Sequence, residues 1–267
     1  MAINAQAVAA TLPSDYWRNI VNSVIQARQV GKTTGKKPVS KNILSDINLE
    51  IGRGEFLCVM GPSGSGKTTL LHILAGLDEP STGEVIVGDK SLSQASSAEV
   101  TALRRDVIGQ VFQFFNLMPN LTLRENVALP LAIAGKSSQD HDHRIDTLLR
   151  NLGLTDRINA LPHELSGGEM QRASIARALC GEQPLLLCDE PTGNLSQQAG
   201  LEVMQILQKL SRDDNKSILL VTHNPRDAAF ADRVVFLVDG KLASEAELKG
   251  PDLKVEDIHK SLASLNI

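Results

Sequence analysis

No stretch of the sequence approaches the roughly 18 consecutive apolar residues that a membrane-crossing helix needs. The longest candidates are short runs such as Val234 to Val238, so the chain is expected not to span a membrane. Residues 1–15, MAINAQAVAATLPSD, carry no cation ahead of their apolar part, which argues against a secretory signal. Cysteine is sparse too. Cys58, Cys180 and Cys188 are an odd number with no metal-ligand spacing, and Cys58 and Cys188 sit inside apolar runs. Buried, reduced thiols in a cytosolic protein are expected. Basic residues do not predominate: 27 Lys and Arg against 31 Asp and Glu leave a formal charge of -4, which argues against coating nucleic acid or an anionic membrane surface. Aromatics make up 3% of the chain, and its one Tyr and one Trp are neighbours, Tyr16 and Trp17. What is present, 42% hydrophobic and 22% charged residues in 267, is typical of folded globular proteins. A chain this long buries roughly 70 to 75% of its surface without staples.

From Leu12 the apolar residues Tyr16, Trp17, Ile20, Val21, Val24 and Ile25 recur at helical spacing, with Pro13, Ser14 and Asp15 as start signals. They predict an amphipathic helix, packed on its own domain or docking a partner. Residues 31–38, GKTTGKKP, read as a polar, basic loop. Ile43 to Ile51 and Glu55 to Met60, separated by Gly52-Arg53-Gly54, predict two strands joined by a tight turn. Thr68 to Leu77 has helical patterning, and Glu84 to Val87 reads as a strand. Between Gln113 and about Leu161 the pattern turns helical, through Thr122 to Ala134 and His143 to Leu152, with a polar break at Gly135 to Asp140. His141 and His143, in DHDHR, read as a solvated charged turn rather than a metal site. The second half predicts a helix at Gly167 to Leu179, a strand at Pro184 to Cys188, a helix at Gln198 to Leu210 and a strand at Ser217 to Thr222. The polar tail from Leu248 places Val255, Ile258, Leu262 and Leu265 at helical spacing. Strands alternating with helices make an α/β fold with a mostly parallel, covered sheet.

The chemistry starts at the segment from Gly61 to Thr69, GPSGSGKTT, which satisfies G-x-x-x-x-G-K-[ST] between a predicted strand and a predicted helix. Gly61, Gly64 and Gly66 let the loop that runs through Pro62, Ser63, Ser65 and Thr69 turn successive N–H groups, with the helix start, around a phosphate. Lys67 adds a positive charge over the β and γ phosphates, and the Thr68 hydroxyl suits magnesium. Gly31-Lys32-Thr33 imitates the end of such a loop, but the first glycine is missing, because position 26 is Gln. The apolar run LLLCDE, Leu185 to Glu190, ends in two carboxylates. Asp189 falls at the carboxyl edge of a strand, where it can hold the same magnesium through water. Glu190 suits orienting or deprotonating an attacking water. Ser166, Gly167, Gly168 and Glu169, in LSGGEMQR from Leu165 to Arg172, form a helix start that is a second anion site.

With LSGGEMQR upstream of LLLCDE, the sequence resembles the ATP-binding cassette family over about Ile43 to Lys241. The resemblance implies a P-loop NTPase core with a mostly parallel sheet, an antiparallel β subdomain and an inserted α-helical subdomain. It implies ATP and Mg2+ as ligands and ATP hydrolysis as the activity. It makes Gln113, in VFQFFNLMPN, the glutamine that senses magnesium and links core to insert, and His223, in LLVTHN, the switch histidine at the γ-phosphate. Asp189, Thr68 and Gln113 become the magnesium residues, and Glu190 and His223 the catalytic ones. In this family the signature of one subunit closes over the ATP held by another, so a second copy of the chain is an implied partner. The domains expected are an N-terminal helix and basic loop at 1–40, an ATPase domain at 41–245 with its helical insert at about 113–165, and a tail at 246–267.

Within the family, FQFFNLMPNLTLRENVALPL and DEPTGNL look like the ATPases of the lipoprotein-releasing and macrolide-exporter type. That likeness implies a transmembrane permease as partner, contact with the membrane only through it, and a place on the cytoplasmic face of the inner membrane, with no role in binding nucleic acid. An ATPase of a non-transporting transmembrane regulator of cell-envelope enzymes is the alternative. A soluble chromosome or translation ATPase would carry long coiled coils or two cassettes, and this chain has one. Two departures stand out. The adenine-stacking aromatic usual in the family falls here at Thr33 or Thr34, and the motif that normally ends in Asp reads Asn194-Leu195-Ser196. Weaker binding of the base and altered coupling between two ATP sites are the expected consequences.

Overall fold

The computed structural model describes residues 23–35, 40–137 and 141–267. Its strands are β1 (Ser23–Thr34), β2 (Lys41–Gly52), β3 (Phe56–Met60), β4 (Thr82–Val87), β5 (Lys90–Ser91), β6 (Ile108–Val111), β7 (Leu185–Asp189), β8 (Ser217–Thr222), β9 (Arg233–Val238), β10 (Lys241–Leu242) and β11 (Leu248–Lys249). Its helices are α1 (Lys67–Leu74), α2 (Ser97–Asp106), α3 (Leu123–Ile133), α4 (Asp142–Asn151), α5 (Gly167–Leu179), α6 (Gln197–Arg212), α7 (Pro225–Ala228) and α8 (Val255–Ser264). The described residues divide into two units: a middle unit, Ser97–Leu207, and a flanking unit made by those between Ser23 and Ser96 and by Gln208–Ile267.

In the flanking unit β3 is apolar and buried at all five positions because it is a central parallel strand, pairing with β8 on one side and β9 on the other. The six residues of β8 are buried as well. A hairpin through Asp239 and Gly240, both at positive φ, returns β10 onto β9. A second sheet is antiparallel, in the order β2-β1-β4-β5. Ile25 lies opposite Ile51 on one side and Val87 on the other.

The helix expected to run from Leu12 through Ile25 does not do so, because Ser23–Thr34 is a strand. Its part before Ser23, with Tyr16 and Trp17, lies outside the described residues. Register shifts between Ala27 and Lys32, and Gln29 at a φ of 52°, break the two-residue alternation of β1. Of the six residues that set the helical spacing, Val24 and Ile25 are consecutive buried strand residues. Gly31 to Thr34, expected in a loop, are likewise strand, with Gly31 opposite Thr82 and Lys32 opposite Leu44. A boundary at residue 40 would cut β1 from the β2 strand it pairs with. Residues 36–39 lie outside the description.

In the middle unit β6 and β7 pair in parallel, Ile108 opposite Leu185 and Val111 opposite Cys188. Helix α3 begins in a capping box, Thr122 with Glu125, and buries Leu123, Val127 and Leu131 on one stripe. Arg124 ties it to Asp142 and Asp146 of α4. Helix α5 buries Ala173, Ile175, Ala176 and Leu179. Helix α2 and β6 have no counterpart among the expected elements. Only Ala102 and Leu103 of α2 are buried, and β6 is four residues long, so neither leaves a strong pattern in the sequence. His143 is exposed in the first turn of α4, and the His141 ring contacts the Ser137 carbonyl.

All three cysteines are buried and outside any disulfide. Burial pushes the Cys180 thiol up to about 11 and Cys188 higher still, so little thiolate forms at ordinary pH. Iodoacetamide at pH 8 is expected to leave all three unmodified in the folded chain and to label all three in urea. Labelling of the native protein, read by mass, would contradict this.

Candidate nucleotide-binding site

In the flanking unit the chain leaves the buried end of β3 at Met60 and enters the phosphate loop. A side chain at Gly61 would run into the carbonyl of Leu237, so only glycine lets the loop start this close to β9. Gly66 holds a φ of 105° as the N-cap of α1, a backbone conformation that costs other residues energy. The start of α1 has no side-chain cap and no acid in its first turn, and the positive end of a helix suits an anion. Lys67 is 7% exposed, and its ammonium donates to the carbonyls of Gly61 (2.8 Å) and Pro62 (2.9 Å). The Ser65 hydroxyl is buried with no hydrogen-bond partner, an orphan of the kind a ligand satisfies. Pro62, Ser63, Gly64 and Thr68 are exposed, and the space beside Gly64 is open. An uncapped helix start, an inward ammonium and an orphan hydroxyl fit a phosphate group.

His223 emerges at the same end of the sheet. Thr222 lies opposite Met60, so His223 and Gly61 each follow one of a paired couple on neighbouring strands. The next residue, Asn224, donates its N–H to Thr222 Oγ1 (3.0 Å) and caps α7. Thr33 and Thr34 end β1, both exposed, opposite Asn42 and Lys41. The position expected to lack an aromatic thus carries two small polar side chains.

In the middle unit Gln113 and Glu190 each lie two residues beyond the paired couple Val111 and Cys188, at the carboxyl ends of adjacent parallel strands. Asp189 closes β7. Glu190 takes a φ of 44°, an uncommon conformation for a residue with a side chain, and its carbonyl accepts from the Gly193 N–H (3.0 Å). The Gln113 carbonyl accepts from the Asn194 side chain (3.0 Å). A side chain at Gly193 would meet the Gln113 amide. Helix α5 holds the same segment from its other end, through Gln171 to the Phe112 carbonyl (3.3 Å) and Arg177 to the carbonyls of Phe115 and Asn116 (2.9 and 2.5 Å). Burial lowers the pKa of Arg177 from its ordinary value. The contacts of Asn194, Gln171 and Arg177 were not anticipated from sequence. Gln171 lies inside the signature string, whereas nothing separates Arg177 from other helix surface residues.

The signature is a capping box. The Ser166 backbone N–H and hydroxyl both donate to Glu169 Oε2 (2.8 Å each), and the Glu169 N–H donates back to Ser166 Oγ (3.3 Å). Arg157 Nε donates to Glu169 Oε1 (3.0 Å). The Ser166 N–H and hydroxyl, with Arg157 behind them, hold the Glu169 carboxyl below the usual carboxylate range against the effect of burial. A cavity of about 480 Å3 opens here, lined by Ser166, Gly168, Glu169, Arg172, Asn194 and Ser196 among others. Ser196, in place of the expected Asp, accepts from the Ala199 N–H (3.4 Å) at the start of α6, so it keeps the cap and loses the charge.

The profile of the ABC transporter family matches residues 44–193. The chain is 42% identical to an uncharacterized ABC transporter ATP-binding protein of Methanocaldococcus jannaschii, MJ0796, over 86% of this chain and 99% of that one. It is 39% identical to the macrolide export ATP-binding/permease protein MacB of Marinobacter nauticus, over 88% of this chain and 36% of that protein, so it spans about a third of MacB. Among solved structures, the dimeric post-hydrolysis state of the MJ0796 cassette bound to ADP and Pi is similar with a TM-score of 0.77, at 40% identity over 84% of this chain and 98% of that one.

Proposed function

The chain belongs to the ABC transporter family, as an ATP-hydrolysing subunit of its complexes, and from that premise we propose that it drives a transmembrane permease from the cytoplasmic face of the inner membrane, for export or for lipoprotein or lipid extraction. No helix among the described residues is long and apolar enough to cross a membrane, and in this reading the motion made here is passed to the permease. The observation that carries the reading is the apolar surface of the segment after Gln113. Phe114 is 69% exposed, Met118 45% and Ile133 74%, apolar side chains of the kind a docking partner covers. They follow the residue expected to respond to nucleotide, which suits passing a nucleotide-dependent movement to whatever docks there. The similarity to MacB, whose name joins an ATP-binding part to a permease, supports the exporter reading.

We assign the site residues as follows. The N–H groups of Gly61 to Thr69 and the α1 start receive the phosphates, with Lys67 as the cation among them. Thr68, Asp189 and Gln113 would hold Mg2+, which supplies charge neutralisation at the β and γ oxygens. Glu190 orients and accepts the proton of the attacking water, and His223 contacts the γ-phosphate. Ser166 to Glu169 complete the site of a second copy. The ATPase domain is taken to begin with β1, to carry its helical insert at about 113–165 and to end near 245, leaving the segment of α8 as a tail.

The base grip is the weak point. Thr34→Tyr is expected to tighten ATP binding about tenfold, the order of one stacked base, and to raise the preference for ATP over GTP, measured by calorimetry. Equal affinities in both proteins would remove this role from position 34. The proposal as a whole is tested by capturing the Glu190→Gln chain with ATP from native membranes. An integral-membrane partner retained only with ATP, together with a cargo that accumulates when the chain is deleted, is the expected outcome. A retained partner with no cargo would favour the regulatory alternative, and no membrane partner would contradict both.

A further inference from the structure

The fifth signature residue is a glutamate in a family whose signature is LSGGQ-like, and its carboxylate sits at a helix N-terminus suited to anions. A hydroxyl has one proton, and that of Ser166 is given to Glu169 Oε2 at 2.8 Å, so it is not directed at the cavity. An arriving phosphate would meet a negative charge and a hydroxyl already engaged. The same carboxylate has a second partner. Arg157, in the 3-10 turn Thr155–Arg157, donates to Oε1 at 3.0 Å, leaving Oε2 to Ser166.

We infer that Arg157 is a positioning residue of the signature: it neutralises and anchors the Glu169 carboxylate, so that Ser166 and the α5 start can take the phosphate of a nucleotide held by a second copy. The inference rests on the reading of Ser166 to Glu169 as half of that copy's site. A purely structural ion pair is the competing explanation. With side chains 52% and 17% exposed, such a pair adds little to folding, and Arg157→Ala and Glu169→Gln would then break it to the same extent.

The test is a titration of the full-length Glu190→Gln chain with MgATP, following dimer formation by sedimentation velocity. Arg157→Ala is expected to raise the ATP concentration for half-maximal dimerisation about tenfold in low salt, with the difference shrinking at about 1 M salt, where charges are screened beyond roughly 3 Å. Arg157→Lys should restore most of the loss. Glu169→Gln should dimerise at a lower ATP concentration than Arg157→Ala, and Arg157→Ala combined with Glu169→Gln should fall within about twofold of Glu169→Gln alone, because no charge then needs neutralising. An Arg157→Ala chain that dimerises like its parent, or a double variant as impaired as Arg157→Ala, would overturn the inference; the second result would also reveal a folding defect. Ser166→Arg separates the two levels. If it blocks dimerisation while Arg157→Ala has no effect, only the positioning role fails. If it dimerises like the parent, the half-site reading fails and the inference falls with it.

Discussion

Glu190→Gln is expected to lower steady-state ATP hydrolysis by about 10²- to 10⁴-fold, the usual contribution of a positioned general base, while the affinity for ATP changes by less than about twofold. The carboxylate follows Leu185–Asp189, a strand buried at its first four positions. Its backbone φ of 44° and the Gly193 N–H on its carbonyl fix where the side chain leaves the sheet. An amide of the same shape preserves that placement and removes only the ability to accept a proton. Phosphate release and fluorescent-nucleotide binding measure the two quantities separately. A parallel loss of binding and turnover would mean that Glu190 holds nucleotide rather than acting on water.

Lys67→Ala should have the opposite signature, raising the dissociation constant for ATP by about 10- to 100-fold, as expected when a charge-assisted hydrogen bond is lost. The ammonium is almost completely buried and donates to the carbonyls of Gly61 and Pro62, so the loop is built around it before any phosphate arrives. Removing it should also loosen the loop and lower the melting temperature by a few degrees, since two carbonyls lose a donor. Calorimetric titration with ATP reads the binding effect. An affinity within about twofold of the parent would contradict the assignment of the loop.

How much of this was legible in the sequence differs from element to element. Helix α5 and strand β8 occupy the ranges expected, because each carries an unambiguous local signal: a Ser-Gly-Gly start for one and an unbroken apolar run for the other. The phosphate loop was equally plain, since its glycines answer to backbone geometry and close approach to β9. Strand β1 was misread because Val24 and Ile25 were grouped with the apolar residues before them and Gly31 to Thr34 were judged by their polar, glycine-rich composition. Strand β6, at four residues, is too short to have a period. Within the site, the residues proposed to act on ligand were legible as types at spacings, whereas those that hold other residues were not. Arg157, Asn194 and Arg177 act through contacts 12, 81 and about 60 positions away along the chain, and such pairings arise only from the fold.

The central claim is that two copies of this chain close around ATP, each completing the other's site. Sedimentation velocity of the Glu190→Gln chain tests it most directly. The account predicts a monomer without nucleotide or with ADP, and a dimer with ATP that Ser166→Arg abolishes. A chain that binds ATP in equal amount yet sediments as a monomer at every concentration would contradict it.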